Sequence, residues 1–394
     1  MKMENKWTDI FALSQFEIWK RGLSYSNRTV RIIIRNYYQG EKVAITLGNT
    51  FGKQPYEVEA ATLAACNQEG KLQGQATVLA FGGKGSVTVQ GGSQIQSDAL
   101  VADISPGYYA VSLYFGKNAH INSLNMLREK VLLSVKGDYT LAPTFNLGKK
   151  LTFSLIKTAF KILKVQACDF IPALAGVSIY TKAENKCIIA FGDSITQGGL
   201  WTYRLADRLS APVLNMSISG NRIIYDAYKL PLINKMFGIS GSSRFAQDVL
   251  AKNNATALII ALGTNDIGAP GSPSAPKSQS VSAEQIITEL EAMVIQAKKA
   301  GLAVFACTLT PFKGYRMGYM PGSREKMLQV NDWIRTYSGL DGYFDFDASI
   351  GDKADAERIA ACYDSIDHLH PSDIGSLKMA DDIDISCLEK LLSK

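Results

Sequence analysis

No run in these 394 residues approaches the roughly 20 consecutive apolar positions that a membrane-crossing helix needs, so no stable membrane insertion is expected. The opening stretch, MKMENKWTDIFALSQFEIWKRG, is broken by Ser14, Gln15 and Glu17, and no signal peptide is read in it. Cysteine is sparse and scattered: Cys66, Cys168, Cys187, Cys307, Cys362 and Cys387 form no C-x-x-C pair. That argues against a zinc site and against a compact disulfide framework. Reduced thiols without a leader make a cytoplasmic location the expectation. No Rossmann or phosphate-loop glycine pattern is present, so no nucleotide cofactor is expected. The lack of any G-x-S-x-G argues against an ordinary α/β-hydrolase elbow.

What is present is a chain long enough for two domains, 46% hydrophobic and 20% charged, able to bury sizeable cores. The net charge of +6 is uneven. Residues 1–185 carry 21 Lys and Arg against 13 Asp and Glu, while residues 186–394 carry 21 against 23. The basic excess is modest and lacks interleaved aromatic clusters, so nucleic acid is not an expected partner.

The two halves differ in period. Between about 28 and 135 the apolar runs are short and partly alternating (RTVRIII, EKVAITL, ATVLAF, SVTVQ, YYAVSLYF, EKVLLSV) and are separated by turn clusters. Such spacing predicts an all-β sandwich, jelly-roll-like, over residues 1–183, with a connecting segment at about 149–183. Within that connector, 149–164 mixes apolar residues with Lys157, Lys161 and Lys164 on one helical face. It reads as a solvated or interdomain segment in preference to a membrane-surface helix.

From 184 to 394 apolar strands alternate with helices. The candidate strands are Lys186–Phe191, Pro212–Ile218, Ala255–Leu262, Ala303–Leu309 and Gly342–Phe346. A helix is predicted at 283–299 from the spacing of Ile286, Leu290, Met293 and Ala297, with Ser282 and Gln285 as a capping box. This alternation calls for a mainly parallel five-stranded sheet covered on both faces, a three-layer α/β/α domain. The stretch 267–282 (IGAPGSPSAPKSQSVS) reads as an exposed loop with little apolar surface to bury.

Five short motifs follow the strands in turn: FGDSITQG (191–198), SGNR (219–222), GTND (263–266), TLTP (308–311) and YDSIDHLHP (363–371). Ligands of open parallel sheets bind outside the carboxyl ends of the strands, so these motifs converge on one pocket. Taken singly, Gly192 and Gly220 could be turn glycines, Asp193 a helix cap and Asn265 a turn residue. A metal on Asp367, His368 and His370 would need further ligands that the pattern does not supply.

FGDSITQG, Gly220, GTND and DHLHP, in that order, resemble the four blocks of the GDSL or SGNH hydrolases. The surroundings (GNRI, SRFAQDVL, TLTPFKG, VNDWIRT, DHLHPSDIG) are similar to an acetylxylan-esterase-like branch with an N-terminal β-sandwich. The resemblance implies a flavodoxin-like hydrolase domain and a serine esterase working through an acyl-enzyme, without metal or cofactor. It implies Ser194 as nucleophile, His370 as base and Asp367 as the carboxylate orienting it. The backbone N–H groups of Ser194 and Gly220 and the side-chain amide of Asn265 would form the oxyanion hole. The chain has two other histidines, His120 in the sandwich and His368 between Asp367 and His370.

The substrate expected from that branch is an acetylated sugar or oligosaccharide. Trp201, Phe312 and Tyr315, near the motifs, are candidate stacking residues. A lipid or thioester hydrolase is the alternative enzyme, and an inactive glycan-binding protein the alternative of another class.

Overall fold

The computed structural model describes residues 5–18, 22–127, 131–148, 169–229 and 235–393. The basic stretch 149–164 lies outside them. The chain divides into two compact units, with the boundary at Asn185 and Lys186.

The first unit is built on β1 (Asn5–Ala12), β2 (Arg28–Asn36), β3 (Gly40–Gly48), β4 (Ala60–Cys66), β5 (Gly107–Phe115), β6 (Val131–Lys136) and β7 (Leu174–Lys182). One antiparallel sheet runs β1–β7–β3, with Gln94–Gln96 and Leu100–Ile104 both paired to β3. The other runs β6–β2–β5–β4, with Thr77–Val78 at its edge. Alternation decides which side chains meet: Val30, Ile32 and Ile34 of β2 share one core with Val43, Ile45 and Leu47 of β3 and with Val177 and Ile179 of β7. This is a β-sandwich. Arg31, on the opposite face of β2, is fully buried, and all five of its N–H groups are used. They donate to Ser112 Oγ at 2.9 Å and to the carbonyls of Gly70, Pro143, Tyr139 and Ala142 at 2.7–3.2 Å.

The second unit carries β8 (Cys187–Gly192), β9 (Val213–Ser217), β10 (Ala255–Ala261), β11 (Ala303–Cys307) and β12 (Gly342–Phe344). All pair in parallel, in the order β9–β8–β10–β11–β12. β8 is therefore the switch point, where the chain turns from one side of the sheet to the other. β8 is buried on both faces because alternate residues serve different layers. Ile188 and Ala190 join the core formed with α2 (Trp201–Leu209), α8 (Asp373–Asp381) and α9 (Ser386–Leu392). On the other side, Phe191 meets Phe245 edge-to-face at 5.6 Å. Phe245 ends α3 (Gly241–Phe245), which runs straight into a π-helical turn, Ala246–Leu250.

Between β10 and β11, α5 (Ala283–Lys299) forms over the expected residues. Ile286, Leu290, Met293 and Ala297 are its buried stripe, and Ser282 and Gln285 complete the capping box. Lys298 and Lys299 lie in its last turn, where their charge complements the helix dipole. Four further helices complete the layers: α1 (Ser194–Gln197), α4 (Thr264–Gly268), α6 (Ser323–Thr336) and α7 (Phe346–Ile350). No helix among the described residues is long and apolar enough to cross a membrane.

The stretch 267–282 differs from its expectation as an exposed loop. Ala275 and Val281 are buried, Lys326 Nζ donates to the Val281 carbonyl at 2.7 Å, and Arg222 donates to Gln279 Oε1 at 3.0 Å. These anchors give it a defined path across the domain.

Candidate active site

Four of the motifs follow directly on β8, β9, β10 and β11, and the fifth lies in the loop between α7 and α8, which reaches Ser194 through His370. Ser194 is the first residue of α1, and Asp193 caps that helix by accepting from Ile195 N–H at 3.0 Å. Gly192 is required by space: a Cβ there would lie 2.3 Å from Thr196 Oγ1 and 2.9 Å from the Ala261 carbonyl. Gly220 is required by conformation, because its φ is +71° and a Cβ would meet the Phe237 ring at 2.4 Å. Both glycines therefore do more than end a turn.

The last loop presents two Asp–His pairs in seven residues. His370 Nε2 lies 2.8 Å from Ser194 Oγ, and His370 Nδ1 lies 2.6 Å from Asp367 Oδ2. Asp367 Oδ1 also accepts from the N–H groups of Leu369 and His370 and from Ser365 Oγ. Burial pushes the Asp367 carboxyl up, but His370 and the two backbone donors outweigh it and hold it at about 2. Asp364 makes a second pair, its Oδ2 2.5 Å from His368 Nδ1, while its Oδ1 accepts from Ile366 and His368 N–H. Ile366 and His368 both have positive φ, a costly conformation for side-chain-bearing residues that Asp364 holds in place.

The GTND turn is wired to its neighbours by the side chains of Asn265 and Asp266. Asn265 Nδ2 donates to Asp193 Oδ2 at 3.1 Å. Asp266 is buried and accepts from Ile223 and Ile224 N–H at 2.8 and 3.1 Å, which ties GTND to the segment after SGNR. Burial raises the carboxyls of Asp193, to about 6, and Asp266, to about 7, against these hydrogen bonds and the nearby arginines. Gln197, which the motif reading left without a role, accepts from Ser219 N–H at 2.9 Å and so steadies the residue before Gly220.

The structure thus brings Ser194, Asp367 and His370 into hydrogen-bond contact, with Asn265 bonded to the residue beside Ser194. Tyr315 is half-buried, and burial together with the charge of Asp367 raises its phenol. Two of the stacking candidates need correction. Trp201 is fully buried, edge-to-face with Phe346 at 5.4 Å, and Phe312 is 1% exposed against Tyr319. Neither ring has surface to offer a substrate. In Trp201 the signal was available, since Trp201 and Leu205 recur at helical spacing on the buried face of α2.

Residues 190–377 match the GDSL-like lipase/acylhydrolase family. No curated protein matches the chain. Among solved structures, a GDSL-like lipase from Bacteroides thetaiotaomicron is 17% identical, covering 52% of this chain and 90% of its own, with a TM-score of 0.41. An aryl esterase from M. smegmatis is 18% identical over 50% of this chain and 94% of its own (TM-score 0.37). The acetylxylan esterase Axe2 from Geobacillus stearothermophilus is 18% identical over 50% and 91% (TM-score 0.38). The family match places a GDSL-like lipase/acylhydrolase domain at residues 190–377, and with that domain the protein is a carboxylic ester hydrolase.

Proposed function

We propose that Ser194, His370 and Asp367 act as nucleophile, base and orienting carboxylate, and that the substrate is an O-acetylated sugar or oligosaccharide. The observation that carries the first part is the chain of contacts Ser194 Oγ–His370 Nε2–Asp367 Oδ2, at 2.8 and 2.6 Å. A serine hydroxyl is a weak nucleophile until a base takes its proton. His370 takes that proton as Ser194 Oγ bonds to the ester carbonyl carbon. Asp367 keeps Nδ1 protonated and stabilises the imidazolium. The carbonyl oxygen becomes an oxyanion, received by the N–H groups of Ser194 and Gly220 and the amide of Asn265. His370 returns the proton to the leaving alkoxide, and water then hydrolyses the acyl-Ser194 ester by the same steps in reverse order.

Support for the sugar comes from the resemblance of the motif surroundings and from two tyrosines. Tyr225 is 37% exposed with Arg222 packed against its ring, two residues after the Ile223 that Asp266 anchors. Tyr315 lies close enough to Asp367 to feel its charge. Aromatic faces of this kind can stack on the apolar face of a sugar ring.

The test is release of acetate from acetylated xylo-oligosaccharides and monosaccharides, run beside release of fatty acid from lysophospholipid. A higher kcat/KM on the acetylated sugars is expected. A preference for lysophospholipid would replace the sugar reading, and turnover by Ser194→Ala would remove the nucleophile.

A further inference from the structure

Arg244 lies outside the five motifs, in the SRFAQDVL segment, yet its side chain is only 3% exposed and reaches two of them. Nη2 donates to the carbonyl of Gly192 at 3.0 Å, two residues before Ser194. Nη1 donates to the carbonyl of Met216 near the end of β9 at 2.9 Å. Nε donates to Asn221 Oδ1 at 2.9 Å, directly after Gly220. The plane of the guanidinium lies over the Phe191 ring at 4.0 Å, and Asp248, four residues on, is its counter-ion at 2.9 Å.

We propose that Arg244 is the positioning residue of the oxyanion hole, holding the Ser194 and Gly220 amides and the Asn265 amide in one fixed geometry. This rests on the roles proposed above for Ser194, Gly220 and Asn265. The bond to Gly192 fixes the strand end from which the nucleophile turn leaves. The bonds to Met216 and Asn221 clamp the loop on both sides of Gly220. Asn221 in turn donates to the carbonyls of Phe237 and Ile239, so the ring that closes over Gly220 is held by the same network. The third arm is electrostatic: the Arg244 charge acts on the buried Asp193 carboxyl, which accepts from Asn265.

Stability alone gives no reason for such a group. A buried ion pair exchanged for apolar side chains of similar size is often neutral or stabilising. A planar fork, by contrast, fixes several acceptors from separate segments at once, which neither a lysine nor an aliphatic side chain can do. The helix that carries Arg244 is itself docked on the loop it orders, since Gly241 and Ser242 N–H donate to the carbonyls of Arg222 and Ile223. It then enters the π turn, a distortion frequent at functional sites.

The test compares Arg244→Lys, which keeps a charge for Asp248, with Arg244→Met/Asp248→Leu, which removes both charges and leaves an apolar core. Each is assayed on p-nitrophenyl acetate and with a trifluoromethyl ketone, whose adduct places an oxyanion where the substrate's forms. The expected result is a fall in kcat on the order of 10²-fold with KM little changed, because small misplacement of catalytic groups costs about that much. The inhibition constant of the ketone should rise in the same proportion, a change that a purely structural role would not produce in folded protein. Should the double variant not fold, Arg244→Lys decides. Parental kcat in the folded variants, or a fall in kcat that the ketone does not follow, overturns the role of Arg244. Activity surviving in Ser194→Ala would instead bring down the site on which it rests.

Discussion

Asn265 donates its side-chain amide to Asp193 Oδ2 at 3.1 Å, joining two turns that lie 72 residues apart in the chain. One amide hydrogen is thereby spent on orientation, and the other is left for the proposed oxyanion. Asn265→Ala should lower kcat by about 10²–10³ with KM nearly constant, the usual cost of one such donor. Steady-state kinetics on a short ester check this. A raised KM with unchanged kcat would make Asn265 a ground-state binding residue.

Ser194 and His370 share one hydrogen bond and act on one proton, so their losses should not add. Ser194→Ala and His370→Ala are each expected to abolish nearly all turnover, and the double variant should be scarcely worse. Labelling by a fluorophosphonate should vanish in Ser194→Ala. Multiplicative losses in the double variant would show that the two residues act separately.

The buried carboxyls set a pH dependence of stability. Asp193 and Asp266 titrate at about 6 and about 7 in the folded protein, above an unfolded value of about 3.9. Groups raised in this way favour the fold while protonated, and that contribution is lost as pH rises from about 4 through their folded values. Asp367, held at about 2, works in the opposite sense: its contribution is present above about 4 and lost as pH falls towards 2. The melting temperature of the hydrolase unit should therefore rise as pH is lowered from 8 to about 5, then drop below about 4. Asp266→Asn should flatten the slope between pH 5 and 8 in calorimetric scans, and an unaltered slope would assign it to other groups.

Trp201 should behave as a core residue. Trp201→Ala is expected to cost about 3–5 kcal/mol in denaturant unfolding, the range for deleting a buried aromatic ring. In the fraction that stays folded, KM for acetylated oligosaccharides should be unchanged. A selective rise in that KM at parental stability would restore Trp201 to the substrate site.

Much of the hydrolase half was legible in the sequence because its signals are local. The period of α5, its capping box at Ser282 and Gln285 and the five apolar strands are properties of neighbouring residues, and each formed within a residue or two of its expected bounds. The motifs were legible for a related reason: in a parallel sheet every strand ends on the same edge, so residues following successive strands must converge. The alternation of Val30, Ile32 and Ile34 likewise determined a sandwich face before any partner strand was known. The tertiary structure alone decided which strands pair, setting β2 between β5 and β6, because antiparallel register depends on contacts between segments far apart in sequence. It alone turned Phe312, in a segment without periodicity, into the core, and pinned 267–282 through Ala275, Val281 and Gln279. And it alone gave Arg244, within SRFAQDVL, its place, because the carbonyls of Gly192 and Met216 and the side chain of Asn221 come from separate segments that surround it only in the folded domain.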